Sequence, residues 1–135
     1  DHNAASVATA RERGLTAYTA DEFTASADAV LGGFDSLLVA HVLEHLDLDT
    51  QRDLLATYLP YVREGGRVIL ITPQEAGFRT DATHVRFVDA AVCDLALREH
   101  GWHVVSKQSF PFPRPVGRVF AYNEFVVVGE RDPDA

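Results

Sequence analysis

Residues Phe34 to Leu46 read FDSLLVAHVLEHL. The first half carries the apolar run Leu37-Leu38-Val39-Ala40, which gives way at once to His41-Val42-Leu43-Glu44-His45. An apolar run that ends abruptly in titratable residues describes a strand that delivers chemistry to its own carboxyl end. That end is where open α/β sheets place their ligands. Beyond Ser36 the segment Phe34 to Ala40 shows no polar alternation, so it is expected to be buried on both faces, as central parallel strands are.

Composition narrows the class around this strand. A chain of 135 residues is expected to form one domain with a sizeable core. Twelve basic residues against 20 acidic ones give a net charge of −8, and Lys107 is the single lysine, which argues against a nucleic-acid partner. The one cysteine, Cys93, leaves no internal disulfide and no cysteine-rich metal site. No apolar run reaches the roughly 20 residues that a membrane helix needs. A cytoplasmic protein with no membrane partner is the expectation, and oligomeric state is not legible.

Outward from the central strand, helix and strand patterns alternate. Upstream, Asn3 is placed to cap a helix over AASVATARERG, with Gly14 as its stop. Leu15 to Tyr18 is a short strand candidate, Asp21 to Ala27 a helical turn, and Gly32-Gly33 a loop. Downstream, Asp49 is read as the cap of a helix from Thr50 to Val62, with Leu54, Leu55, Tyr58, Leu59 and Val62 on one face. Arg67 to Thr72 is a second strand and Pro73 to Phe87 a long loop. Asp89 caps a helix from Ala90 to His100, with Val88 and Cys93 as its hydrophobic staple and Gly101 as its stop. Trp102 to Phe110 is a strand, Pro111 to Gly117 is irregular, and Phe125 to Gly129 is a final strand. Arg131 to Ala135 reads as a polar tail after a domain spanning residues 1 to 130. This order predicts a Rossmann-like, doubly wound, mostly parallel α/β sheet. Its last two strands, joined without a helix, should pair antiparallel.

FDSLLVAHVLEHL, then YLPYVREGGRVILITP, then DATHVRF, then REHGWHVV together resemble the class I S-adenosylmethionine-dependent methyltransferases, most closely the small-molecule UbiE/UbiG-like type. The resemblance implies a seven-stranded sheet whose last strand is antiparallel, and transfer of a methyl group from S-adenosyl-L-methionine to an O, N or C atom of a small molecule. It places Asp1 at the ribose hydroxyls, Thr19, Ala20 and Asp21 at the adenine, and Ala40, His41 and Val42 beside the methionine part. His45, His84 and Arg86 would face the acceptor, with His41 or His84 as general base. No G-x-G segment stands in the chain. The resemblance therefore implies a domain that is N-terminally incomplete, the C-terminal part of a longer methyltransferase, and weak cofactor binding by this part alone. A non-catalytic, methyltransferase-like binding domain is the alternative.

A third reading comes from the letters HVLEH, which fit the inverted zinc-peptidase pattern H-x-x-E-H. His41 and His45 on one helix would bind zinc, with Glu44 as base. The pattern needs both histidines in mid-helix, whereas Leu37 to Ala40 reads as strand, so no metal site is expected. Plain structural roles stand beside the functional ones. His45 can pack at the sheet rim, Asp1 can be a solvated terminal acid, and His84 and Arg86 can sit in a solvated loop. Phe110, Phe112, Tyr122 and Phe125 can be packing rather than stacking residues, and Cys93 a small core residue.

Overall fold

The computed structural model describes residues 1–131. Four strands form one sheet in the order β1-β2-β4-β3: β1 (Phe34–Ala40), β2 (Val62–Pro73), β3 (Trp102–Phe110) and β4 (Glu124–Arg131). β1 and β2 pair in parallel, and β4 runs antiparallel to both β2 and β3. Three of the four strands thus share one direction, and β4, inserted between β2 and β3, is the reversed one. The expected Rossmann-like arrangement with an antiparallel last strand is what the chain adopts. Of the expected polar tail, Asp132 to Ala135 lie outside the described residues, and Arg131 is the last residue of β4.

Helices occupy the connections. Asn3 caps α1 (Ala4–Glu12), its Oδ1 accepting from the amides of Ala5 and Ser6. Gly14 follows with φ of +80°, the left-handed turn that favours glycine. α2 (Ala20–Ala25) begins with a capping box between Thr19 and Glu22, and Arg11 forks onto Glu22 to tie α1 to α2. Between them Leu15 to Tyr18 is not a strand. Its carbonyls go to local donors instead: Arg11 Nε donates to Ala17 O at 2.9 Å and the Asp1 backbone nitrogen to Tyr18 O at 2.8 Å.

The next helix starts earlier than its sequence suggests. α3 spans Leu48–Tyr58, because Asp47 rather than Asp49 accepts the amide of Thr50, at 2.8 Å. That bond also holds the Asp47 carboxyl below its ordinary range. Pro60 closes the helix with a single 3-10 turn, Leu59–Tyr61. The expected loop from Pro73 to Phe87 contains one helical turn, α4 (Glu75–Phe78). α5 (Ala90–Arg98) is capped by Asp89 as expected, and Val88 and Cys93 are both buried beneath its first turn. Another single 3-10 turn, Arg114–Arg118, lies within the irregular proline-rich segment.

α3 and α5 cover one face of the sheet. Val39, Leu55, Val68, Leu70, Leu97 and Val127 meet there in the core. Leu70, Leu97 and Val127 have no exposed surface. Arg52 of α3 forks onto Glu99, just past α5, at 2.8 and 2.9 Å. The opposite face, with Ile69, Ile71, Val126 and Val128, is only half-buried.

β1 departs most from expectation. It was read as buried on both faces, yet it is the edge of the sheet and only Val39 is buried. Leu38 is 61% exposed. Apolar content alone does not reveal an edge, because burial depends on what lies alongside. Among the described residues no helix is long and apolar enough to cross a membrane.

Candidate functional site

β1 ends at Ala40, and the next residue turns the chain out of the sheet. His41 has φ of +54°, a left-handed conformation that costs a non-glycine residue roughly 1–2 kcal/mol. Its amide still donates to Ile71 O at 3.0 Å, so the bend falls directly after the last parallel bond. β2 ends at Pro73, and β4 begins beside it, Pro73 pairing with Glu124. The carboxyl ends of two parallel strands and the start of the reversed strand therefore meet. Across this junction His41 Nε2 donates to Glu124 Oε1 at 2.5 Å, while His41 Nδ1 lies 3.2 Å from Glu44 Oε1.

A single 3-10 turn, Leu43–His45, follows the bend and directs Glu44 inward. The Glu44 side chain is completely buried, and neither of its carboxylate oxygens accepts a hydrogen bond. Its backbone carbonyl accepts from the amides of Val85 and Arg86 at 2.8 and 3.2 Å. Those two bonds fasten the loop after α4 onto the turn after β1 and bring His84 over Glu44.

His84 is 8% exposed and stacks on Phe78 with ring centroids 5.3 Å apart. Its Nδ1 donates to Phe78 O at 2.8 Å. Its Nε2 lies 4.0 Å from Glu44 Oε1 and 3.9 Å from Asp81 Oδ2. His45 meets His84 edge-on at 4.7 Å. His45 Nδ1 donates to Thr83, lying 3.3 Å from its carbonyl and 3.0 Å from its hydroxyl oxygen. That hydroxyl donates in turn to Asp81 Oδ1 at 2.6 Å, and these Thr83 bonds hold the Asp81 carboxyl below its ordinary range.

The structure thus gathers His41, His45 and His84, all expected at the site, around Glu44. Glu44 entered the sequence reading only as part of a peptidase pattern. That peptidase reading fails on geometry. His41 stands in a bend after a strand and His45 closes a three-residue 3-10 turn, so the two do not share a face of an α-helix. Ala40 ends β1, and Val42 packs on the core. Arg86 is committed to Gln51 of α3, donating to its Oε1 at 2.6 Å. Asp1 is exposed, and one carboxylate oxygen accepts from the Asn3 amide at 2.8 Å. Thr19 spends both its amide and its hydroxyl on the capping box, while Ala20 and Asp21 form the exposed first turn of α2. The Asp1 backbone nitrogen, donating to Tyr18 O, keeps Asp1 and the Thr19-Ala20-Asp21 segment adjacent.

Glu124 and Gln74 were not foreseen. Gln74 is fully buried, and its Nε2 donates to Ser109 Oγ at 2.8 Å and to Glu124 O at 2.9 Å. Asn123, also buried, donates through Nδ2 to Gln74 Oε1 at 3.0 Å. This amide pair clamps the end of β2 to the start of β4 and so sets Glu124 opposite His41. The available signal was polar: a glutamine directly after one strand and Asn-Glu directly before another.

No protein-family model matches the chain, and no curated protein sequence matches it. Solved structures do. The N-methyltransferase NodS from Bradyrhizobium japonicum WM9 superposes with a TM-score of 0.66 at 17% identity, over 98% of this chain and 71% of that one. The 1,6-didemethyltoxoflavin-N1-methyltransferase of Burkholderia thailandensis was solved with 1,6-didemethyltoxoflavin and S-adenosylhomocysteine. It gives a TM-score of 0.58 at 18% identity, over 78% of this chain and 48% of that one. The fold is that of the S-adenosylmethionine-dependent methyltransferases. This chain spans about half the length of the toxoflavin enzyme. The same methyltransferase fold also carries the [4+2]-cyclase SpnF, with a TM-score of 0.58 at 15% identity over 97% of this chain and 64% of that one. Fold alone therefore does not name a reaction, and the site must do so.

Proposed function

We propose that this chain belongs to an enzyme that transfers a methyl group from S-adenosyl-L-methionine to an O, N or C atom of a small molecule. The observation that carries the reading is the position of His41, at the carboxyl end of a parallel strand in a methyltransferase fold. Residues of the chain fit the cofactor in part. One carboxylate oxygen of Asp1 is left for ribose hydroxyls, Ala20 and Asp21 present an exposed first turn beside it, and Ala40 and Val42 flank the bend at His41. Thr19, with its polar groups spent on capping, is the poorest fit. The cofactor, when bound, supplies a methyl group already activated on a sulfonium sulfur.

The work left to the protein is positioning and proton removal. Holding the acceptor in line with the methyl group supplies several kcal/mol. Glu124 fixes the proton of His41 on Nε2, which makes Nδ1 the nitrogen that takes the acceptor proton. His84 Nε2, whose ring is fixed through Nδ1, is the second base candidate. His45 lines the same rim, and Arg86, held by Gln51, shapes it rather than reaching a substrate freely.

The second reading is a methyltransferase-like binding domain without turnover, since the fold by itself fixes no reaction. One experiment separates the two. Calorimetry with S-adenosylhomocysteine is paired with a methyl-transfer assay over a panel of phenols, amines and carbon acids. Binding with turnover that falls in His41→Ala supports the enzyme. Binding without turnover supports the binding domain, and no binding even at ligand concentrations that would reveal weak affinity rejects both.

A further inference from the structure

We propose that Glu44, His45 and His84 form a binding site for a divalent transition-metal ion of the zinc type. The site shares His45 and His84 with the proposed methyl-transfer rim, and a bound ion would take the His84 Nε2 lone pair and leave His41 as the base. The test below reads metal binding alone, so its failure is distinct from a failure of methyl transfer. Three observations carry it. One ligand atom from each residue lies within 4.8 Å of the others. Zinc holds nitrogen and oxygen ligands at about 2.1 Å, which puts them roughly 3.4 Å from one another, so closure needs side-chain movement of only about 1 Å.

The outer contacts come next. Both imidazoles spend Nδ1–H on backbone carbonyls, His84 on Phe78 O at 2.8 Å and His45 on Thr83 O at 3.3 Å. This fixes the tautomer of each ring and leaves each Nε2 with an unshared lone pair. Metal-binding histidines are held in the same manner, by a carbonyl or carboxylate on the far nitrogen. Thr83, anchored on Asp81, adds a second hold on His45.

The third observation is Glu44 itself. Its carboxylate is completely buried without a hydrogen bond to either oxygen. Burial of a carboxylate in that condition is costly unless a cation compensates. Its nearest nitrogens are His41 Nδ1 at 3.2 Å and His84 Nε2 at 4.0 Å. With its proton held on Nε2 by Glu124, His41 offers Glu44 no hydrogen through Nδ1, and His84, its proton held on Nδ1 by Phe78 O, offers none through Nε2; a carboxylate faced by unprotonated nitrogens suits a metal. Two imidazoles and one carboxylate favour zinc-like ions over calcium or magnesium, which prefer oxygen. Three protein ligands leave a fourth position for water or an acceptor heteroatom. This set shares only Glu44 and His45 with the H-x-x-E-H pattern, and its third member lies 39 residues beyond His45.

The test uses the untagged chain, stripped with a chelator and titrated with ZnCl2 by calorimetry and with Co2+ by visible absorption. One equivalent should bind, and cobalt should show the intense bands of a tetrahedral site. His84→Ala and Glu44→Gln should each weaken zinc binding by at least about tenfold, and His41→Ala should leave it unchanged. Circular dichroism identifies the folded variants, and His45→Ala replaces any that fails to fold. The proposal is overturned by an absence of saturable binding, by unchanged affinity in the folded ligand variants, or by loss in His41→Ala with retention in His84→Ala.

Discussion

His41 Nε2 and Glu124 Oε1 stand 2.5 Å apart although 83 residues separate them. The contact joins the tip of the edge strand to the start of the reversed strand. Its members are 48% and 26% exposed, so solvent screens it, and Glu124→Gln is expected to cost about 1 kcal/mol in urea unfolding. The bend beneath it offers a sharper test. At φ of +54° glycine is free of steric strain, so His41→Gly should be more stable than His41→Ala by about 1 kcal/mol. His41→Val should be the least stable of the three, because a β-branched side chain fits that conformation worst. Equal stability of the glycine and alanine variants would show that the bend stores no strain.

Acid should weaken a second junction. Arg114 forks onto Glu75, hydrogen-bonding it and holding its carboxyl below the ordinary value of 4.5. The unfolded chain therefore binds this proton more readily than the folded one. The contribution is present above the unfolded value and lost as pH falls through the folded one. Arg114→Ala should destabilise the protein near neutral pH, and the gap between variant and parent should shrink below about pH 4. Urea midpoints across that range measure it, and a gap that widens in acid contradicts the assignment.

Cys93 should report global unfolding. Burial pushes its thiol up to about 12, and its side chain has no exposed surface. The thiolate is the reactive form, so a disulfide reagent should label the native protein only as fast as the core opens. Labelling should accelerate across the urea transition and coincide with the loss of circular dichroism. Rapid reaction under native conditions would place Cys93 outside the core.

Gly117 is held by proximity rather than by backbone angle. A Cβ there would stand 1.7 Å from Gln74 Oε1, inside the amide pair that positions Glu124. Gly117→Ala should displace Gln74 and cost about 1–3 kcal/mol, within the usual range for overpacking. Gln74→Ala should be destabilising alone, and the two changes combined should cost less than their sum.

Much of this fold was legible because its signals are local. The apolar runs at Leu37–Ala40 and Val68–Ile71, the caps at Asn3 and Asp89, and the stop at Gly101 each act through nearby residues. Asp49 was read as the cap of the third helix, and the extended backbone and side-chain bond at Asp47 move the cap two residues earlier. The exposure of β1 was misjudged from its apolar content, since burial depends on what packs alongside. At the site, the histidines announced themselves by type. Their partners did not: Glu124 reaches His41 only because β4 inserts next to β2, and His84 reaches Glu44 only through two amide bonds from the loop.

The exposed flank of β1 bears on how the protein behaves in concentrated solution. Among the described residues no strand pairs with the outer flank of β1, and that row of backbone groups beside an exposed Leu38 is a template on which a second molecule can add a strand. Light scattering should therefore rise with protein concentration faster than a net charge of −8 would suggest. A gatekeeper charge at that one position, Leu38→Lys, should suppress the rise without touching the histidine cluster. Self-association of this chain is thus expected to follow a single strand edge more than its overall composition.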